Sequence, residues 1–218
     1  MSILQQRATI TRHTVLLRAA EVFNRNGYSQ AALQEIVSHS GVTKGALYFH
    51  FSSKESLARA VIDEGCARLE AACTRRSSSY SPALETLIGI SYLISDPGLD
   101  DALILAAFRL LVEVGDYTGT GPVIFVRWTS MFRDLAARAV AEGDFRPSTD
   151  PVAAAQLLFG CTLGTRLLAT ASSSMHDLPR RMTTVWSAVL PALVDESKVE
   201  YFSQFAERRL SPTLALVI

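Results

Sequence analysis

ALQEIVSHSGVTKGALYFHFSSKE, residues 32–55, decides the fold. Leu33, Ile36 and Val37 have the spacing of one buried face of a short helix over about 33–39. Ser40, Gly41 and Val42 follow as a tight connection. Gly41 sits where the backbone needs a positive φ, which glycine supplies without steric cost, and Val42 pins the turn to the core. A second short helix runs over about 43–49, with Leu47 and Phe51 inward. Two short helices joined by a three-residue turn make a helix-turn-helix.

The second of these helices is too short and too polar to exist for packing. Thr43 and Lys44 stand at its N-terminus, where free backbone N–H groups and the helix dipole favour phosphate. Lys44 reaches a guanine edge or a phosphate. Gly45 has no side chain and lets the helix approach a groove closely. Tyr48, one turn on, places its hydroxyl on a phosphate, and Lys54 opens the next helix at another anion-favouring position. Taken singly, Lys44 reads as a solvated charge, Tyr48 and Phe49 as core or half-core aromatics, and His50 as a surface histidine. The spacing of the whole set carries the DNA-binding reading.

Upstream, Leu16, Ala19, Ala20 and Phe23 follow the i, i+3, i+4, i+7 pattern of an amphipathic helix, and Gly27 closes it as a left-handed C-terminal residue. Downstream, Ser52 and Glu55 form an S-x-x-E capping box that opens a longer helix reaching to about 76. Residues 77–82 are a polar break. Further helices are expected at about 83–95, 99–114, 123–142, 151–172, 179–194 and 198–209, with glycine- and proline-bearing breaks between them, the segment 115–122 among these. No strand alternation persists. The fold class is therefore all-α: an N-terminal three-helix DNA-binding domain over 1–54, then a helical domain over 55–218.

Composition sets the outer bounds. Of 218 residues, 49% are hydrophobic and 19% charged, enough for a sizeable core and unlike a disordered chain. The net charge is zero, but its distribution is uneven. Residues 1–54 hold six basic side chains (Arg7, Arg12, Arg18, Arg25, Lys44, Lys54) against Glu21 and Glu35, a surplus of four positive charges that the remainder cancels. A basic end on an acidic body suits one region facing phosphate. Cys66, Cys73 and Cys161 are widely spaced, without metal-site spacing, and their odd number argues against a disulfide framework. A cytoplasmic location fits. Residues 1–12 carry no apolar signal segment. Arg109, Arg127 and Arg166 interrupt the apolar runs short of the ~18 residues of a membrane span. No nucleophile with a base, P-loop, G-x-S-x-G, H-E-x-x-H or G-x-G-x-x-G is present, so no enzyme, metal or cofactor is expected.

Residues 32–55, with Phe23, Gly27 and Tyr28 upstream, resemble the signature of the TetR family of repressors. The resemblance implies an all-α homodimer that binds a double-stranded DNA operator through its N-terminal part and holds a ligand pocket and dimer interface in its C-terminal part. It also implies that Thr43, Lys44, Gly45, Tyr48, His50 and Lys54 face DNA. Within the family, residues 41–51 are similar to the γ-butyrolactone receptors of antibiotic-producing actinobacteria. Pro122 followed by Trp128, and the stretch Gly164-Thr165-Arg166, resemble theirs too. That implies a repressor released by a small diffusible signal of the γ-butyrolactone or butenolide type. The alternative is a TetR-type regulator that answers to an antibiotic or other hydrophobic compound, or to no ligand.

The residues themselves leave several choices open in the larger domain. Residues 103–108 and 157–163 are apolar nearly all round, and such helices fill a core or wall a cavity. Trp128, Phe108, Phe132 and Phe159 are the candidate lining. Thr162 either bonds back to the carbonyl four residues earlier or serves a ligand carbonyl. With no charged residue evident there, a small neutral amphipathic ligand is expected. Gly160 and Gly164, four apart, either pack within one subunit or, with Trp186, Val189, Leu190 and Leu193, build the dimer interface. If the basic end meets phosphate, log affinity for DNA falls linearly with log salt, by about tenfold or more between 50 and 200 mM. Fluorescence-anisotropy titrations over that range check this, and a flat profile contradicts it.

Overall fold

The computed structural model describes residues 3–76, 81–96, 99–118 and 120–209. The expected breaks at 77–80 and 97–98 lie outside the described residues. Among those described there are ten α-helices, a short 3₁₀ turn at Met175–Asp177 and no strands. The helices are α1 (Ile3–Gln30), α2 (Leu33–Ser40), α3 (Lys44–His50), α4 (Lys54–Arg76), α5 (Ala83–Ile94), α6 (Ala102–Thr118), α7 (Thr120–Ala141), α8 (Pro151–Ala171), α9 (Leu178–Leu193) and α10 (Glu196–Arg208). The all-α expectation holds.

The chain forms two compact units. The first comprises residues 1–71 and 100–124, the second residues 72–99 and 125–218. Lys54, where the DNA-facing motif ends in the sequence, is the first residue of α4 and lies inside the first unit.

In the first unit the amphipathic stripe of α1 is buried as its spacing requires. Leu16, Ala19, Ala20 and Phe23 are at most 1% exposed, and Ile36 and Leu47 are fully buried. α1 packs on α2, α3 and α6. Gly27 has φ +73° inside α1, so the helix kinks there before a last short turn. Gly41 has φ +67° at the C-terminus of α2, the left-handed geometry the turn demands. At the start of α4 the reciprocal cap is one residue later than the S-x-x-E reading. The Ser56 amide donates to Ser53 Oγ and the Ser53 amide donates to Ser56 Oγ, both at 3.0 Å. Ser53–Ser56 has the same three-residue step but a serine in place of the glutamate, so the S-x-x-E pattern does not mark it.

The second unit is built on α5, which is buried almost throughout, and on α8, α9 and α10 around it. Its buried polar groups are satisfied. The Trp186 indole N–H donates to Ser91 Oγ at 2.8 Å, and Ser91 Oγ donates to the Ile88 carbonyl at 2.7 Å. The expected break over 115–122 is mostly helix. α6 runs to Thr118 and α7 starts at Thr120, with Pro122 in its first turn, where a missing N–H costs nothing because that amide has no intrahelical acceptor.

Gly65, which no sequence pattern marked, fixes the crossing of α4 and α6. A Cβ there would run into the Leu103 carbonyl and come within 2.7 Å of the Ala107 Cβ. The obstruction is backbone, so relief requires moving a helix. Gly65→Ala is therefore expected to destabilise by about 1–3 kcal/mol or more. Urea unfolding measures it, and an unchanged midpoint contradicts the close crossing.

Candidate nucleic-acid interface and effector site

Thr43 caps α3: its Oγ1 accepts from the Ala46 amide at 3.1 Å. The Phe51 amide donates to the Leu47 carbonyl at the other end. Leu47, at 0% exposure, anchors the helix and fixes which side faces outward. Thr43, Lys44, Gly45 and Tyr48 are all exposed. Lys44 Nζ lies 5.9 Å from the Tyr48 ring centroid, which puts the two candidate contacts side by side. His50 is half-buried, with its ring between those of Phe49 and Phe51. Lys54 is engaged by the end of α1: its ammonium donates to the Ser29 carbonyl at 3.2 Å and lies 4.6 Å from the Tyr28 ring centroid. Burial lowers its pKa from the usual lysine value.

Two features of this region escaped the sequence reading. The Arg12 guanidinium sits 5.4 Å from the Phe51 ring centroid, so the basic first half of α1 runs beside the end of α3. Phe49 is 80% exposed rather than a core or half-core aromatic. The signal for this was present, since two residues beyond a buried helical position the chain has turned by about 200°.

A second constellation holds the last turns of α1. Arg109, on α6, donates through Nη1 to the Asn24 carbonyl at 2.6 Å and through Nε to Glu113 Oε1 at 2.8 Å. Glu113 Oε2 in turn accepts from the Tyr28 amide. Asn24 Nδ2 returns a bond to the Ala102 carbonyl at 2.8 Å. These bonds lie on both sides of the Gly27 kink. A Cβ at Gly27 would come within 2.7 Å of Arg109 Nη2 and 2.9 Å of Glu113 Oε1, so the groups close over the kink tightly. Arg109 and Asn24 are 85 residues apart, and no local pattern could have paired them.

In the second unit, Trp128 and Phe132 come from one face of α7, together with Phe125. All three rings meet Phe159 of α8. The centroid distances to Phe159 are 6.3 Å for Phe125, 6.3 Å for Trp128 with near-parallel planes, and 5.5 Å for Phe132. Thr162 is one turn further along α8, 1% exposed, and its hydroxyl donates to the Leu158 carbonyl at 2.8 Å. Its proton is committed to the helix, and its free lone pairs make it an acceptor. Phe108 lies on α6, in the first unit.

A buried charge lies further along α8. Arg166, one further turn along α8, is 4% exposed and donates to the Ile94 carbonyl at the end of α5. Burial lowers its pKa to about 10, against the opposing pull of Asp96. A cation at a helix C-terminus offsets the negative end of the dipole, which gives this charge a structural employment.

The outer side of α8 differs sharply from its inner side. Gly160 and Gly164 have nothing within 4 Å of where a Cβ would be, while Leu157, Leu167 and Leu168 are 46%, 46% and 63% exposed. The within-subunit packing of these glycines is therefore not what the chain does. Of the four residues grouped with them, Trp186, Leu190 and Leu193 point into their own unit, at 1%, 0% and 8% exposure, while Val189 is half-buried. Periodicity identified the buried face of α9 without saying what buries it. By length and composition alone α8 could cross a membrane. Arg166 does not shorten that run below a membrane span, contrary to the expectation from the sequence. The inner stripe of Ala154, Ala155, Leu158, Thr162, Arg166 and Ala169 is instead packed in the second unit. Among the described residues no cluster of His, Cys, Asp or Glu is placed to hold a metal ion.

Comparison with known proteins agrees with this arrangement at both ends of the chain. Residues 15–61 match the model for bacterial regulatory proteins of the tetR family, and residues 80–195 match the tetracyclin repressor-like C-terminal domain. The A-factor receptor protein of Streptomyces griseus is 31% identical over 189 residues, covering 87% of this chain and 66% of the receptor, slightly under two thirds of its length. An ArpA-like γ-butyrolactone receptor superposes with a TM-score of 0.76 at 28% identity, over 94% of this chain and 98% of that one. CprB of Streptomyces coelicolor, in complex with its operator sequence, superposes with a TM-score of 0.75 at 29% identity, over 93% and 97%.

Proposed function

The chain belongs to the TetR family of bacterial regulators, and from that premise we propose that it is a homodimeric repressor released by a small neutral signal of the γ-butyrolactone or butenolide type. Residues 1–54 meet a pseudo-palindromic operator, and residues 55–218 sense the signal and dimerise. Thr43, Lys44, Gly45 and Tyr48 form the operator-facing surface, with His50 and Lys54 at its margin. One recognition helix spans only a few base pairs, so two are needed, about 34 Å apart or a multiple of it.

The observation that carries the ligand reading is the ring cluster in the second unit. α7 and α8 meet there through Phe125, Trp128, Phe132 and Phe159. Rings can part around an apolar guest and stack on it, with Thr162 as a hydrogen-bond acceptor for a ligand hydroxyl. Arg166 is already bonded to Ile94, which leaves the surroundings suited to an uncharged guest. The likeness to the A-factor and γ-butyrolactone receptors supports the lactone class. The open strip of Gly160 and Gly164 between exposed leucines supports α8 as the dimer face, since small residues allow a second helix to approach closely.

Release requires that the ligand prefer a conformation that fits DNA poorly. The sequence alone points to α4 as the lever, because it begins at the DNA-facing end and continues into the larger domain. The first unit adds α6, locked to α4 at Gly65 and holding α1 through Arg109 and Glu113. A shift of α4 that carries α6 with it therefore reaches α1 as well. A tenfold loss of operator occupancy needs a preference of about 1.4 kcal/mol, inside the usual range of coupling energies.

Trp128→Ala removes pocket surface and leaves the recognition helix intact. In gel shifts with a synthetic acyl γ-butyrolactone, the parent protein is expected to release DNA, and Trp128→Ala to bind DNA and stay bound. Release of Trp128→Ala at the parent's lactone concentration would place the pocket elsewhere.

A further inference from the structure

α3 advances about 100° per residue, so Leu47 at the centre of the buried side puts Phe49 on the opposite, outward side. There the Phe49 ring is 80% exposed, more than any other described large apolar side chain. Its edge-to-face neighbour is the His50 ring, at 5.1 Å and 80°. Gly45 is four residues earlier on the same face. A Cβ added to it would find Thr43 Oγ1 no nearer than 4.0 Å, so the surface beside Phe49 is bare. Lys44 and Tyr48 flank that surface with a charge and a hydroxyl. Phe49 is thus an apolar ring standing out of an otherwise polar face, and it contributes little burial to the fold.

A phenyl ring cannot hydrogen-bond a base edge or a phosphate. In the major groove the apolar group that a base pair offers is the 5-methyl of thymine. We infer that Phe49 is a specificity-determining residue that packs on a thymine methyl group in each half-site. The inference rests on the reading of α3 as the helix that enters the groove. Lys44 then reads a hydrogen-bonding edge from the first turn of α3 and Phe49 an apolar one from its last turn.

The test uses duplexes that the full-length parent protein enriches from a randomised pool. Each thymine of a half-site is replaced in turn by uracil, which lacks only the methyl group. At one thymine per half-site, uracil is expected to weaken the parent about fourfold, the burial value of one methyl-sized group. Phe49→Ala should bind the thymine and uracil duplexes alike, with its urea midpoint unchanged. Phe49→Leu should keep part of the difference. Indifference of the parent to every uracil substitution, or unchanged discrimination in Phe49→Ala, overturns the inference. A change of oligomeric state in Phe49→Ala, with discrimination intact, overturns it too and assigns the ring to a protein contact. Enrichment of no duplex by the parent would instead overturn the placing of α3 in the groove.

Discussion

The DNA-facing end of this molecule depends on how α6 holds the kinked end of α1. An exposed arginine–glutamate pair at helical spacing is worth only about 0.3–0.5 kcal/mol. Arg109 and Glu113 do more because each also bonds a backbone group at the end of α1, the Asn24 carbonyl and the Tyr28 amide. Groups at a helix terminus lack intrahelical partners, so supplying partners from another helix fixes where α1 stops and in which direction the chain leaves it. α2 and α3 follow directly. Lys54, bonded to the Ser29 carbonyl just past the kink, ties the start of α4 to the same place. Five helices, α1 to α4 and α6, thus take their mutual positions from one turn of backbone.

The second unit is organised by a contrast between the two sides of α8. The inner side carries Ala154, Ala155 and Leu158, then the polar pair Thr162 and Arg166, each satisfied by a backbone carbonyl. The outer side is open at Gly160 and Gly164 and apolar around them. A fold that needed α8 only for its core would have no use for that outer face. The proposed dimer would cover it, and the proposed sensor, the ring cluster around Phe159, lies on the same helix.

The helix-turn-helix was legible in the sequence because its determinants are local. Gly41 must adopt a positive φ and Leu47 must point inward, both within a dozen residues. The burial of Leu16, Ala19, Ala20 and Phe23 was legible for the same reason, as a 3.6-residue period. What failed was of two kinds. The S-x-x-E pattern marked Ser52–Glu55, whereas the reciprocal cap is made one residue later by Ser53 and Ser56 without a glutamate, and glycine and proline near residue 119 suggested a long break where two helices nearly abut. Pairings between distant segments left no trace at all: Arg109 with Asn24, Gly65 with Leu103, Arg166 with Ile94. Trp186 shows the limit of periodicity, which marks a buried face but not the partner that buries it.

In the proposed release mechanism the α6 grip on α1 is the step through which the lactone reaches the operator-facing helices. Its most direct measurement is the ratio of operator Kd with and without a synthetic acyl γ-butyrolactone, taken for the parent, Arg109→Met, Glu113→Gln and the double variant. Lactone binding is followed separately by calorimetry. Every variant is expected still to bind the lactone while the ratio falls toward one, with the double variant no worse than either single variant because the two residues act as a unit. A ratio that stays at the parent value in all three variants would contradict it.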